Sequence, residues 1–197
     1  MKKLIKFLGL LLVAGAMFVG CQQEANIDTN EVKLSNGKWD IVSSMSTKIK
    51  KGLYTGTLSY GSSETINVSG DTYTYISYSM NQSVSFTLPE GTDEKALTAF
   101  ATAMTGGESD EGENKPTVLI NGTTITITDS TTATAEEIEE MNEEEHKISE
   151  DYTSELPEGV VIKTNKKKTE YIVTWVVAAE DEDDFDSNYT MTMKKQK

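Results

Sequence analysis

The sequence predicts an all-β fold, an antiparallel up-and-down barrel or meander of about ten strands with two short helical insertions. Three observations carry this. Runs rich in Thr, Tyr, Val and Ile are separated by Gly, Asn, Ser and Asp, the residues of turns. Within the runs apolar residues recur at every second position, as in Val84, Phe86 and Leu88, in Tyr171, Val173, Trp175 and Val177, and in Tyr189, Met191 and Met193, so each run has one face to bury. Finally, Asn121-Gly122 stands between two such runs and suits a tight hairpin turn that needs positive φ at both central positions.

In chain order, strands are expected near 38–45, 53–60, 65–69, 72–80, 84–88, 117–121, 123–128, 159–164, 169–178 and 188–194. The first helix is expected over 93–105, where Leu97, Phe100, Ala101 and Met104 share a face and Gly106-Gly107 can end it. The second opens on Thr134 with Glu137 three residues later, a capping-box pattern, and has Ile138, Met141 and Ile148 as its apolar residues. Its acids, Glu136 through Glu145, repel one another and need only solvent. The stretch 106–115 has no apolar residue and is expected as a loop.

Ahead of the strands, Lys2, Lys3 and Lys6 precede an uncharged run over 7–18, a basic region and a short apolar one in the order of a signal peptide. The run is shorter than the roughly 20 residues a membrane-spanning helix needs. It ends in Phe18-Val19-Gly20-Cys21, which resembles the lipobox of bacterial lipoproteins, with Phe18 where Leu is usual. The resemblance implies cleavage between Gly20 and Cys21, acylation of Cys21 and a lipid anchor in the cell envelope. Gln22 after the cysteine implies the outer membrane if the cell is Gram-negative. The expected organisation is a signal peptide over 1–20, a lipidated cysteine and flexible tether over 21–35, and a β-rich domain over 36–197.

All 18 basic residues are lysines, set against 32 acids for a net charge of −14. Loss of the three leader lysines deepens this to −17. A chain so acidic is expected to repel phosphate backbones and anionic lipid surfaces, so no nucleic-acid partner is expected. Cys21 is the one cysteine, so no intramolecular disulfide can form and stability must come from an apolar core.

Gly37-Lys38-Trp39 opens the first long strand and Tyr189–Lys195 forms an alternating last one. This G-x-W resembles the motif of lipocalins and lipocalin-like domains. The resemblance implies a barrel whose tryptophan lies beneath a basic residue near the final strand. That residue is commonly Arg; here Lys194 or Lys195 must serve, without the planar stacking surface of a guanidinium. It also implies a cavity, for which Trp39, Ile41, Tyr78, Phe86 and Trp175 are the candidate lining. Binding or carrying a small hydrophobic ligand is the function expected from this resemblance. The alternative class is a surface-interaction lipoprotein, adhesin-like, that contacts host or envelope components through its exterior.

No enzyme activity and no cofactor are expected. The single histidine, His146, sits among Glu143, Glu144 and Glu145 and reads as a surface residue. Phosphate-loop and nucleophile-elbow motifs are absent. No zinc site is expected. Weak calcium candidates are Asp181, Asp183, Asp184 and Asp186, since hard cations take several oxygen ligands. An EF-hand register starting at Asp184 fails because Tyr189 takes the glycine place and Lys195 the bidentate glutamate place. Tyr73, Tyr75 and Tyr78 form an aromatic group that strict alternation divides between two faces, Tyr78 with Ile76 and Met80 against Tyr73 and Tyr75.

Overall fold

The computed structural model describes residues 25–51, 54–104, 116–154, 156–157, 159–179 and 185–197. Gly20, Cys21, Asp181, Asp183 and Asp184 lie outside them. The architecture is one antiparallel sheet of ten strands with short helices against it. The strands are β1 (Ala25–Ile27), β2 (Gly37–Lys51), β3 (Tyr54–Ser69), β4 (Thr72–Thr87), β5 (Thr117–Asn121), β6 (Thr124–Thr132), β7 (His146–Lys147), β8 (Val161–Thr164), β9 (Glu170–Val177) and β10 (Ser187–Lys195). Their spatial order is β1-β8-β9-β10-β2-β3-β4-β6-β5, with β7 also on β4. First and last long strands pair, Trp39 opposite Lys195 and Met45 opposite Tyr189. The sheet nonetheless ends at β1 and β5 and is a meander with two edges, not a closed barrel.

The ten strands divide the chain differently from the expectation. The runs over 53–60 and 65–69 are one strand, β3, and those over 72–80 and 84–88 are one strand, β4. Gly61, Ser62, Ser63 and Glu64 look like turn residues, yet pairing on both sides carries them through as strand. The first helix, α1 (Glu94–Met104), and the second, α2 (Ala135–Met141), form where the patterns place them. At the start of α2 the Glu137 amide donates to Thr134 Oγ1 at 3.3 Å and the Thr134 amide to Glu137 Oε2 at 2.7 Å, closing the capping box. Ile148 is not on that helix. It is buried beyond β7, at the start of a π turn over Ser149–Thr153.

One face of the sheet carries two apolar clusters. The larger joins Trp39 and Ile41 of β2, Ile66 and Val68 of β3, Tyr73 of β4, and Ile162, Tyr171, Val173, Trp175, Met191 and Met193 of β8 to β10. The smaller packs α1, through Leu97 and Ala101, on Phe86, Leu88 and Ile125. Gly56 makes the second cluster possible: a Cβ there would come within 2.5 Å of the Ser85 carbonyl oxygen and 2.7 Å of the Phe86 ring.

Of the segment expected as a tether over 21–35, the described residues 25–35 are a part of the fold. Ala25 pairs with Thr164 and Ile27 with Ile162. Val32 and Leu34 are buried in the larger cluster, and Tyr171 Oη donates to the Lys33 carbonyl at 3.0 Å. Three scattered apolar residues gave no periodic signal, because Ile27 ends a three-residue strand while Val32 and Leu34 are inserted into the core outside any strand.

Gly56→Ala is expected to lower stability by about 1–3 kcal/mol, the usual penalty of overpacking, in urea unfolding of the mature chain. Gly56 has no positive φ, so its loss reads the clash alone; Gly70→Ala, at φ +70° where a Cβ meets nothing within 4 Å, is the opposite case of strain without a clash.

Candidate functional site

The most chemically distinctive place in the described residues is a buried carboxyl ringed by phenols. Glu64 continues the inward alternation of Ile66 and Val68 on β3, which leaves it only 2 % exposed. Its Oε2 accepts a hydrogen bond of 2.7 Å from Tyr152 Oη. Tyr152 comes from the π turn after β7 and is itself buried in the larger cluster.

A β-bulge gathers the other phenols. Thr65 lies opposite Ser77 but Ile66 opposite Tyr75, so Ile76 is an extra residue on β4. The extra residue reverses the parity of the strand. Tyr73, Tyr75 and Tyr78 therefore share a face, where strict alternation divides them, and Ile76 is turned out to solvent. The rings form a chain: Tyr73 to Tyr75 at 5.3 Å between centroids, Tyr75 to Tyr78 at 6.1 Å and Tyr73 to Tyr152 at 5.3 Å. Tyr73 Oη lies 3.1 Å from Tyr75 Oη and donates to Asp151 Oδ2 at 3.1 Å.

His146 belongs to this cluster and not to the acidic helix. It pairs with Tyr73 on β7, and its ring packs against Tyr73 at 5.2 Å and Tyr75 at 5.1 Å. Its Nε2 lies 2.7 Å from the Met141 carbonyl oxygen. A carbonyl only accepts, so Nε2 carries a proton, leaving Nδ1 to face Asp151 Oδ2 at 3.9 Å. Asn142 adds two backbone clamps: its Oδ1 accepts from the Tyr75 amide at 2.8 Å and its Nδ2 donates to the Tyr75 carbonyl at 3.0 Å.

Burial sets the electrostatics. Desolvation pushes the Glu64 carboxyl up to about 7, against the opposing hydrogen bond of Tyr152 and helped by the nearby charge of Asp151. Burial likewise raises Tyr78, to about 12, and lifts Tyr73, Tyr75 and Tyr152 further, so all four phenols are neutral donors at physiological pH. Such a carboxyl could exchange a proton near neutrality, but with 2 % exposure it offers no surface to a substrate. What the arrangement does is hold the segment from Asn142 to Thr153 against the sheet.

The residues expected to line one cavity are not together. Trp39, Ile41 and Trp175 belong to the larger cluster and Phe86 to the smaller, while Tyr78 stands in the phenol chain. Trp39, Ile41, Ile66, Tyr171, Val173 and Met193 have 0 % exposure, so not even a water-sized sphere touches them. Trp39 Nε1 donates to the Ser35 carbonyl at 2.8 Å and its ring lies 6.1 Å from that of Tyr171. Of the two candidate lysines, Lys195 approaches the motif: its Cε lies 3.6 Å from the place of a Cβ on Gly37, and its Nζ donates to Ser35 Oγ at 2.8 Å. Lys194 instead pairs with Glu170 at 3.3 Å. Gly37 itself has φ +117°, a conformation L side chains rarely adopt. Asp186 is exposed and accepts from the Ala179 amide at 3.0 Å. Among the described residues no three His, Cys, Asp or Glu gather as metal ligands.

Sequence reasoning missed Glu64. Extending the period-two pattern of β3 back from Val68 and Ile66 reaches Glu64 and Ser62, a signal hidden by ending one strand at 60 and beginning the next at 65. Comparison with protein-family models, curated proteins and solved structures finds no match.

Because the folded-state pKa of Glu64 is raised, the folded protein holds a proton that the unfolded chain releases at ordinary carboxylate pH. Its contribution to stability is therefore present in full below about pH 4.5 and is lost as pH rises to about 7, after which it levels off. The span amounts to roughly 3 kcal/mol. Glu64→Gln, which keeps an acceptor for Tyr152, is expected to flatten this decline and to be the more stable form at pH 8, as read by urea unfolding across pH.

Proposed function

We propose that this chain is a lipid-anchored protein of the bacterial cell envelope, held by an acylated Cys21, whose β domain works by contacting a macromolecular partner through its outer surface. The anchor is supported by the basic and apolar leader and by the lipobox-like residues before Cys21. Export of so acidic a chain, with no second cysteine to form an internal disulfide, fits a domain that relies on its apolar core outside the cytoplasm.

The observation that carries the choice between the two expected classes is the complete burial of Trp39, Ile41, Tyr171 and Val173. A carrier of small hydrophobic molecules needs an empty, apolar interior. Here side chains fill that place, and protein interiors packed in this way admit no ligand without reorganisation. The exterior, in contrast, has apolar residues within reach of a partner. β5 pairs with β6 alone and exposes Val118, Leu119 and Ile120, with Leu119 62 % exposed. Val176, Val177 and Phe185 are exposed where β9 ends and β10 begins.

Intact-mass measurement on the protein extracted from its own membranes tests both halves of this reading. The expected mass is that of residues 21–197 plus covalent diacylglyceryl and acyl groups, with nothing further removed by mild organic extraction. An uncleaved or unlipidated chain contradicts the anchor. A reproducible non-covalent cargo contradicts the surface reading and favours the carrier.

A further inference from the structure

The sheet begins close to the anchor. Ala25 opens β1, so Cys21 is four residues away along the chain, a reach of at most about 14 Å at full extension. With β1 paired to β8 and Val32 and Leu34 buried, the domain cannot hang on a long leash. If Cys21 is acylated, as proposed above, some part of the domain must rest at the lipid surface, and the register decides which part. Ala25 stands opposite Thr164, the last residue of β8. The next residues are the turn into β9, Asn165-Lys166-Lys167-Lys168-Thr169.

That turn is well built. The Lys168 amide donates to the Asn165 carbonyl at 2.9 Å, with Lys168 at φ 50°. The Asn165 side chain braces both sides, Oδ1 accepting from the Thr169 amide at 3.0 Å and Nδ2 donating to Thr169 Oγ1 at 3.1 Å. All three lysines are exposed. Lys168 has a partner in Glu31 at 3.7 Å, whereas Lys166 and Lys167 take part in no hydrogen bond or ion pair among the described residues. Lys38, Lys194 and Lys197 reach the same end of the sheet, since the Lys195 amide donates to the Thr169 carbonyl and the Gln196 amide to the Lys38 carbonyl. The acids at this end are engaged: Glu31 and Glu170 each face a lysine, Asp40 accepts from Thr65 and Gln196, Asp71 in the turn after β3 accepts from Ser149, and Glu150 pairs with Lys147. The acid-rich helix α2 lies on the β4 side instead, clamped through Asn142 to Tyr75.

We propose that the β8–β9 turn, through Lys166, Lys167 and Lys168, seats the domain on the anionic phospholipid surface into which Cys21 is anchored. Net charge predicts repulsion from such a surface, but within a screening length of about 8–10 Å the local charge governs, and locally this end is basic. Each lysine near an anionic bilayer strengthens the contact by about fivefold. The seat fixes orientation: β1, β8 and the β8–β9 turn face the lipid, and the far end of β2 and β3 faces away.

Hydrogen exchange on a chemically anchored chain tests this. Residues 21–197, which contain every buried residue of the core, are coupled through the single thiol to a maleimide-bearing lipid in vesicles. One set is phosphatidylcholine alone and the other phosphatidylcholine mixed with phosphatidylglycerol. Exchange at the Lys166 and Lys167 amides is expected to slow by about fivefold or more on the mixed vesicles, with the protection lost at about 1 M salt, where screening acts over about 3 Å. The K166Q/K167Q/K168Q variant is expected to lose it too, and K48Q/K50Q, at the far end of β2, to keep it. Equal exchange on both vesicles, or protection that survives the triple variant, overturns the seat. Coupling supplies the anchor chemically, so absence of natural lipid on Cys21 overturns the anchoring reading alone, and absence of charge preference overturns the seat alone.

Discussion

The pairing of β2 with β10 is the constraint on which the rest of this structure depends. It joins the first and last long strands, and through it the hairpin ladder β2-β3-β4-β6-β5 and the ladder β1-β8-β9-β10 become one sheet. Trp39 lies at the start of that seam, fully buried, with Lys195 opposite it and Tyr171 beside it. Ser35 receives both the Trp39 indole proton and the Lys195 ammonium. Closing a contact between residues so far apart carries a large loop entropy, which the larger cluster offsets by burying residues from both ladders in one place.

Once the seam is made, the sheet covers its larger cluster but leaves two edges. The segment from Asn142 to Thr153 lies against the inner face beside β4, and Tyr152 and Ile148 enter the apolar cluster there. Its polar contacts are unusual, because it brings a tyrosine to a carboxylate that has no cationic partner among the described residues. Burial pushes this carboxyl up to about 7, so it is only partly ionised at neutral pH. The π turn and the bulge at Ile76 are the local irregularities that bring these groups into register. Both are departures from regular geometry of the kind that a chain retains where side chains must be aimed.

Much of this was legible in the residues. Alternation found the strands of β5, β9 and β10 nearly to their ends, β6 was found but runs four residues past its expected end, and the capping box at Thr134 and Glu137 located α2. Three features were not. Continuity of β3 and β4 depends on neighbours that pair with residues 61–64 and 81–83, and a single strand's composition does not reveal its neighbours. The bulge at Ile76 changes which tyrosines face inward, and one extra residue leaves no mark in a period-two pattern until the partner strand is known. The docked run from Ala25 to Leu34 has too few apolar residues to show periodicity, although two of them are buried. The lipocalin-like motif led to the correct neighbourhood, the seam of first and last strands, but Gly37 and Trp39 there serve a filled interior and an open sheet.

The interior around Trp39 is filled by side chains, and we propose that recognition belongs to the surface. Titrating the mature chain with an environment-sensitive apolar dye tests it most directly. A filled interior predicts no saturable rise in dye fluorescence and no change in Trp emission under native conditions. A stoichiometric, saturable rise accompanied by a shift in Trp emission would contradict it, since it would require an empty space beside Trp39 or Trp175.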